Sequence, residues 1–223
     1  MEQQRWMHRA SAFELLSKSL LLPSHEIARA AVDGSFQDAV SEILKALGYG
    51  SEGRSAAGLL DEYTRMDEDE AFHRLRKQYT YLFVGERGPR ITPYLGVRDA
   101  QVNGVKELLF LSNQTIAIES FMKERGVSRS LDAGRANNPI DHIGTVCEFM
   151  EYLCLVNARA IKASDGFVVT ESDFNEFYDS YFRAYAQWLS AELGDSARDC
   201  FYRVVSVVLE CVTDSCRLET VSA

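Results

Sequence analysis

Proline is scarce in this chain, with 4 prolines among 223 residues. Because proline interrupts helices, so low a content allows long helices with few breaks. The alternation of apolar and polar residues that marks a strand is also missing over any useful length, and no segment repeats with a period of about 20–50 residues. Apolar residues recur instead at helical spacing along most of the sequence. These patterns predict an all-α fold.

Long apolar runs are missing as well. No segment approaches the roughly 18 consecutive apolar residues that a membrane-spanning helix needs. The amino-terminal region places Arg5, Arg9 and Glu14 among its apolar residues, so it lacks the uninterrupted apolar region of a secretory signal peptide. We therefore expect a cytoplasmic protein that does not insert stably into a membrane.

Basic residues are outnumbered by acidic ones, 24 against 33, which gives a formal net charge of −9. Binding to the phosphates of nucleic acid requires a dense basic patch, and no cluster of lysine and arginine of that kind is present. We therefore expect no nucleic-acid partner. The negative field of the protein favours a basic peptide instead.

The sequence also lacks the motifs of common catalytic and metal sites. Its five cysteines include no CxxC pair, and their odd number indicates reduced thiols in a cytosolic protein. His142 and Glu148 do not have the i, i+4 spacing of paired helical metal ligands. Serine-nucleophile, P-loop, zinc-protease and dinucleotide-binding fingerprints are all missing. We therefore predict no catalytic residue, no metal site and no cofactor, and expect that the chain is not an enzyme.

Capping residues and turns predict where several helices begin and end. Pro23 and Ser24 should end the first helix, and Ser24 can cap the second. Ser35 is expected to cap the third helix, and a loop is expected over residues 48–53. The acidic run 67–70 should begin a later helix, because negative charge stabilises a helix amino terminus.

The segment 85–93 contains two glycines and two of the four prolines, so it is predicted to be a loop or hinge. We expect one domain over residues 1–223, with a hinge at 85–99 between an amino-terminal and a carboxyl-terminal half. Beyond the hinge, one long helix is predicted from about residue 100 to 125. Three further helices are predicted near 139–163, 171–193 and 197–211.

A motif with several chemically informative residues opens the first of these three helices. Asn138 is a good N-cap, Pro139 suits the first helical position, and Asp141 at the third can complete a capping box. In such a helix Asp141 and Glu148 lie on the side opposite the core. His142 is expected at the flank, partly buried and able to meet a partner. Two interpretations stay open, since the motif can cap a helix or bind a ligand.

Three blocks of residues are informative through their order along the chain. Residues 139–142, Pro-Ile-Asp-His, precede 148–150, Glu-Phe-Met. Residues 79–85 read Tyr-Thr-Tyr-Leu-Phe-Val-Gly, and residues 201–203 read Phe-Tyr-Arg. Together these blocks resemble the proline–x–aspartate–histidine motif, the aromatic–x–x–Leu-Phe-x-Gly segment and the last-helix start of the TorD/DmsD family of redox-enzyme maturation chaperones. The resemblance spans most of the chain. Asn138 replaces the glutamate that is frequent in the family, and Tyr79 replaces the tryptophan of some members.

The resemblance implies a TorD-like helical bundle of two halves joined by a hinge. It also implies binding to the twin-arginine leader and the immature catalytic subunit of a molybdenum-containing oxidoreductase. Such a chaperone assists cofactor insertion and holds back premature export. The expected assembly is a monomer or a domain-swapped homodimer.

The same resemblance implies a leader-binding site. Asp141 is the carboxylate expected to bind a leader arginine through charge-assisted hydrogen bonds, with Pro139 and His142 beside it. Glu148 joins the site on the basis of its position one helical repeat along the same face. Three apolar residues beside the loop either line a groove for the leader or belong to the core, and these are Tyr79, Leu82 and Phe83.

Two alternative functions stay open at this point. One is a helical adaptor or assembly protein that holds a different partner without recognising a leader. The other is a helical hydrolase or nucleotide-binding protein that uses Asp141 and His142. A requirement for the two leader arginines favours the chaperone, whereas turnover or nucleotide binding favours the second alternative.

Overall fold

The computed structural model describes residues 2–104, 112–128 and 139–220, with side chains as far as residue 216. The α-helices of these ranges are α1 (Glu2–Leu20), α2 (His25–Asp33), α3 (Ser35–Ala46), α4 (Gly50–Gly58), α5 (Glu68–Tyr79), α6 (Leu95–Val102), α7 (Asn113–Lys123), α8 (Ile143–Asn157), α9 (Glu171–Phe177), α10 (Arg183–Ser196) and α11 (Cys200–Thr220). A short 3-10 helix covers Tyr63–Arg65, and π-helical segments cover Thr80–Val84 and Tyr178–Phe182. Over these ranges no strand is present, and a single antiparallel bridge joins Tyr94 and His142. The predicted all-α class is confirmed. None of the described helices combines the length and the apolar character needed to cross a bilayer.

The structure confirms several helix boundaries that local sequence predicts. Helix α1 ends at Leu20, and the Ser24 side chain caps α2 by accepting a hydrogen bond from the backbone amide of Ile27. Helix α5 follows Asp67, whose carboxylate accepts a hydrogen bond from the Glu70 amide at 2.8 Å. Both caps satisfy amides that have no partner within their own helix.

Helix α4 begins at Gly50, inside the loop expected over residues 48–53. Its sequence is rich in glycine, which disfavours helices. Gly53 explains the helix, because a Cβ atom there would lie 3.0 Å from the Leu44 Cβ and 3.2 Å from the Ser41 carbonyl oxygen of α3. The glycine thus permits close packing between α3 and α4, and this tertiary contact outweighs the weak helix propensity.

Three other boundaries differ from the predictions. Gly34, with φ of 88°, is the N-cap of α3, and Ser35 is already the first helical residue. The single helix predicted from about 100 to 125 is wrong, since α6 ends at Val102 and α7 begins only after Ser112, which caps it. The helix predicted from 139 starts at Ile143 instead. The expected cap, Asn138, lies outside the described residues.

Helices α1 and α8 form the central pair of the core. Trp6, Phe13 and Leu16 of α1 are buried, and Phe13 packs edge-on against Phe182 at a ring-centroid distance of 5.3 Å. In α8, Cys147 and Cys154 are both fully buried thiols, as expected for small core residues. This packing fixes the amino terminus of α8 beside the carboxyl end of α1, so the motif that precedes α8 lies at this end of the pair.

Candidate functional site

The motif before α8 runs alongside the segment that leads into α6. The Ile143 amide donates a hydrogen bond to the Pro93 carbonyl at 2.9 Å, and the Leu95 amide donates one to the Asp141 carbonyl at 3.0 Å. The Tyr185 hydroxyl of α10 donates to the Thr92 carbonyl at 2.6 Å. The loop and the motif are therefore held together as one paired unit.

The Asp141 carboxylate lies under the amino termini of two helices. One oxygen, Oδ2, accepts a hydrogen bond from the Gly96 amide of α6 at 3.1 Å and another from the Thr115 hydroxyl of α7 at 3.0 Å. Because Thr115 donates to Asp141, the Ser112 hydroxyl is assigned as the donor to Thr115 Oγ1, 2.9 Å away. The helix dipoles of α6 and α7 also favour a negative charge here. Asp141 thus caps α6 and binds the Thr115 side chain in the first turn of α7, and it does not belong to α8.

Gly96 allows this arrangement because it has no side chain. A Cβ atom at this position would lie 2.1 Å from Ser112 Oγ and 2.5 Å from Thr115 Oγ1. Neither distance is compatible with a real Cβ atom, so the hydroxyls would have to move away from Asp141. Sequence reasoning missed Gly96, Ser112 and Thr115, because no local pattern connects them with Asp141.

His142 is the N-cap of α8, and only 1% of it is exposed. Its Nδ1 accepts a hydrogen bond from the Gly144 amide at 3.1 Å, so the ring proton is assigned to Nε2, which faces the Tyr79 hydroxyl at 3.4 Å. Burial lowers the pKa of His142 from 6.5 to about 4, which keeps the ring neutral at physiological pH. The expectation of a half-exposed histidine at the helix flank is wrong, because the cap position turns the ring into the protein.

The three apolar candidates beside the loop are core residues. Leu82 is fully buried, and the exposed fractions of Tyr79 and Phe83 are 7% and 5%. Tyr79 packs on Phe83 with ring centroids 5.0 Å apart, and Phe83 packs on Tyr202 of α11. The backbone at Leu82 accepts hydrogen bonds from the amides of residues 90 and 91, which fixes the start of the loop. Of the two interpretations left open for these residues, the structure shows the core one.

Pro139 and Glu148 lie at the edges of this region. Pro139 is half-buried, and its carbonyl accepts a hydrogen bond from the His142 amide at 3.0 Å. Glu148 is exposed on α8. The prediction that Asp141 and Glu148 share an exposed helix face is wrong, because Asp141 precedes the helix and is only 4% exposed.

Gly144, in the first turn of α8, connects the motif with the end of α1. A Cβ atom at Gly144 would lie 2.6 Å from two side-chain carbons of Leu21 and 3.2 Å from its backbone nitrogen. Leu21 therefore packs into space that only glycine leaves open. The motif sets the position of Leu21 as well as the positions of α6 and α7.

The described residues contain one group of metal-type donors, Glu62, Asp199 and Cys200. Arg74 forms ion pairs with both carboxylates, and the Tyr63 hydroxyl donates to Asp199 Oδ1 at 2.7 Å. A guanidinium is therefore already paired with both of the carboxylates that a metal ion would need. The group acts as an ion-pair network that joins α5 to α11.

Comparison with known proteins identifies a family. The family described as nitrate reductase delta subunit matches residues 34–190, which is most of the chain. The match includes the segment 79–85, the motif 139–142 and the amino termini of α6 and α7, which Asp141 contacts. No curated protein matches the chain.

Proposed function

Because the chain belongs to the nitrate reductase delta subunit family, whose members are maturation chaperones of molybdoenzymes and not catalysts, we propose a specific chaperone function for it. The chain binds the twin-arginine leader and the immature catalytic subunit of a molybdenum-containing oxidoreductase in the cytoplasm. It assists cofactor insertion and holds back premature export. The observation that carries this proposal is the family match over residues 34–190.

The charge of the protein supports an arginine-bearing partner. A formal net charge of −9 attracts a basic leader and accelerates its encounter with the protein. Arginine forms strong, charge-assisted hydrogen bonds with carboxylates, and often two at once. Glu148 is exposed on α8, where a partner can reach its carboxylate.

Asp141 can take part only after a conformational change. Its carboxylate is 4% exposed and lies beneath α6 and α7. Pro93, Leu95 and Gly96, which bond to the motif, all belong to the predicted hinge 85–99. Opening at this hinge breaks those bonds and lets a leader guanidinium replace the Gly96 amide and the Thr115 hydroxyl at the carboxylate. In this proposal Pro139 and His142 lie beside the opened carboxylate, and the core residues Tyr79, Leu82 and Phe83 support them from behind.

Calorimetry with two synthetic peptides tests the proposal. One peptide carries two consecutive arginines followed by an apolar stretch, and the other carries lysines in their place. We expect the arginine peptide to bind more tightly, because lysine cannot form the bidentate contact. Glu148→Gln should weaken binding of the arginine peptide, whereas Glu210→Gln, at an exposed position of α11, should not. Equal binding of both peptides would contradict leader recognition.

Purification from the native cell supplies the second test. The catalytic subunit of a molybdoenzyme, identified by mass, should copurify with the chain, and removal of its leader should reduce the yield. A partner of another class, retained without any arginine-bearing leader, would support the adaptor alternative. Sedimentation of the purified chain at two concentrations distinguishes the proposed monomer from a dimer that exchanges its halves at the hinge.

A further inference from the structure

An open cleft of about 520 Å³ lies between α1, α2 and α3. Its volume is within the range of about 300–1,000 Å³ that is typical of ligand sites. Each of the three helices contributes a small residue to its lining, namely Ser11, Ala30 and Ala39. Their short side chains explain why the helices leave a gap there. The cleft is separate from the buried motif, yet Leu21 contributes to both.

The interior of the cleft is apolar. Its larger apolar side chains are Leu15, Leu21, Leu22, Ile27, Phe36 and Ile43. Leu22 is 43% exposed, although leucine is a strongly apolar residue. An apolar stretch of a partner would therefore remove an exposed leucine and its neighbours from water, which is favourable by about 25 cal/mol per Å² of buried apolar area.

The rim of the cleft is acidic. Glu14, Glu26 and Glu42 line it, against the single cation Lys18. The Lys18 ammonium is held by two of these carboxylates, at 2.9 Å from Glu14 and 3.3 Å from Glu26. Glu42 makes no ion pair with any residue that the structure describes. Three carboxylates and one ammonium leave two negative charges in excess at the edge of an apolar cleft.

The acidic rim continues onto α8. Burial, reinforced by the charges of Glu14 and Glu148, raises the pKa of Glu151 to about 7. Helix α8 packs against α1, so Glu148 and Glu151 add negative charge on the α1 side of the cleft. This charge strengthens the field that attracts a basic partner.

We propose that this cleft binds the part of the client in which arginines adjoin an apolar stretch, with the apolar residues inside and the arginines on the carboxylate rim. The proposal rests on the proposed chaperone function and assigns the first contact of the leader to this exposed cleft, since Asp141 is buried until the hinge opens. Charge complementarity selects this occupant over a second copy of the chain, because a second acidic protein would be repelled by the rim.

The cleft lies partly outside the matched family range. Most residues that line it, from Ser11 to Ala30, precede the matched range 34–190. The motif lies within that range and seats Leu21 through Gly144. The match therefore covers the α3 side of the cleft and the motif that positions Leu21, and leaves the α1 and α2 sides outside.

Site-specific crosslinking tests the position of the bound peptide. A photoreactive amino acid replaces Leu22 in the full chain, and the probe is the peptide with two arginines and an apolar stretch. The matched control carries the same group at Val168, which is 79% exposed in the loop before α9. We expect a crosslink from position 22 and little from position 168. A peptide that binds in calorimetry but does not crosslink at position 22 would overturn the cleft assignment and leave the chaperone proposal intact.

Affinity measurements test the chemistry of the cleft. Leu22→Ser combined with Glu42→Gln should raise the Kd of the arginine peptide by about tenfold, since it removes an apolar contact and a carboxylate. Val168→Ser combined with Glu210→Gln is the matched control and should leave the Kd unchanged. Circular dichroism verifies that each variant is folded. If an alanine-substituted peptide without arginines binds wild type equally well, the cleft is a site for apolar ligands and the charge part of the proposal is wrong.

Discussion

The Asp141 carboxylate accepts a hydrogen bond from the Gly96 amide, 45 residues earlier in the chain, at 3.1 Å. The sequence predicts that Asp141 caps the helix that follows it, but its carboxylate caps α6 instead. Its burial and its second partner, Thr115, give it a structural role in the folded protein. Stability and leader binding must therefore be measured separately in any variant of this motif.

Replacement of Asp141 by alanine should destabilise the protein. It leaves the buried Gly96 amide and the Thr115 hydroxyl without their acceptor, which lowers the free energy of unfolding by about 1–3 kcal/mol. Asp141→Asn keeps an acceptor oxygen and should cost less. Urea denaturation followed by circular dichroism measures both values. An alanine variant as stable as wild type would show that these hydrogen bonds contribute nothing net.

Gly96→Ala should also destabilise the protein, for a steric reason. The added methyl group collides with Ser112 Oγ and Thr115 Oγ1, and relief of such overpacking costs about 1–3 kcal/mol. Gly58→Ala in α4 is the matched control, because nothing lies within 4 Å of its Cβ position. Alanine at residue 58 should leave stability unchanged or raise it by up to about 1 kcal/mol. Similar unfolding midpoints for the two variants would contradict the close approach at Gly96.

Gly144→Ala should displace Leu21 and weaken peptide binding in the cleft. The new methyl group occupies the space of the Leu21 side chain, so the wall of the cleft moves. Leu21→Ala provides the complementary change, because it removes the atoms that the methyl group meets. In a double-mutant cycle, the stability loss of the double variant should be smaller than the sum of the two single losses. Additive losses would show that the two residues do not interact.

Stability should fall in mild acid because of His142. Its pKa is about 4 in the folded protein and near 6.5 when the chain is unfolded, so between these values the unfolded chain binds more protons. The stabilisation that the buried, neutral His142 gives the folded protein is therefore complete above about pH 6.5 and is lost as the pH falls towards 4. Its total is on the order of 3 kcal/mol.

The effect of His142 is measured by comparing how the stability of wild type and of a His142 variant depends on pH. His142→Asn retains a side-chain cap for α8 but does not titrate, so its stability should depend less on pH than that of wild type. Glu151 acts in the opposite direction, because its raised pKa favours the folded state as the pH falls through 7. That effect is common to both proteins and cancels. Parallel pH profiles from urea unfolding at pH 5 and pH 7 would show that His142 does not titrate with folding.

Local signals in the sequence predicted much of the helical structure. Ser24 and Asp67 each cap a helix with their own side chains, and the acidic run near 67–70 lies at a helix start, as expected. These interactions involve partners three residues away, and local sequence reports them well. The same approach missed α4, since Gly53 favours the helix only through its close contact with α3.

The candidate site was predicted in part. Short blocks of residues indicated the family, and the match over residues 34–190 confirms it. The expected exposure of His142 was wrong, because the exposure of a residue near a helix end depends on where the helix begins. The cleft between α1, α2 and α3 gave no sequence signal, since its apolar lining residues look like ordinary core positions.

The sequence by itself determined the all-α class, the negative charge and the family, because helical spacing, charge and short motifs are properties of the chain. Only the tertiary structure decided what the motif does. The partners of Asp141 belong to α6 and α7, and the partner of Gly144 belongs to the end of α1. Contacts between residues so far apart in sequence depend on how the helices pack, which no local pattern encodes.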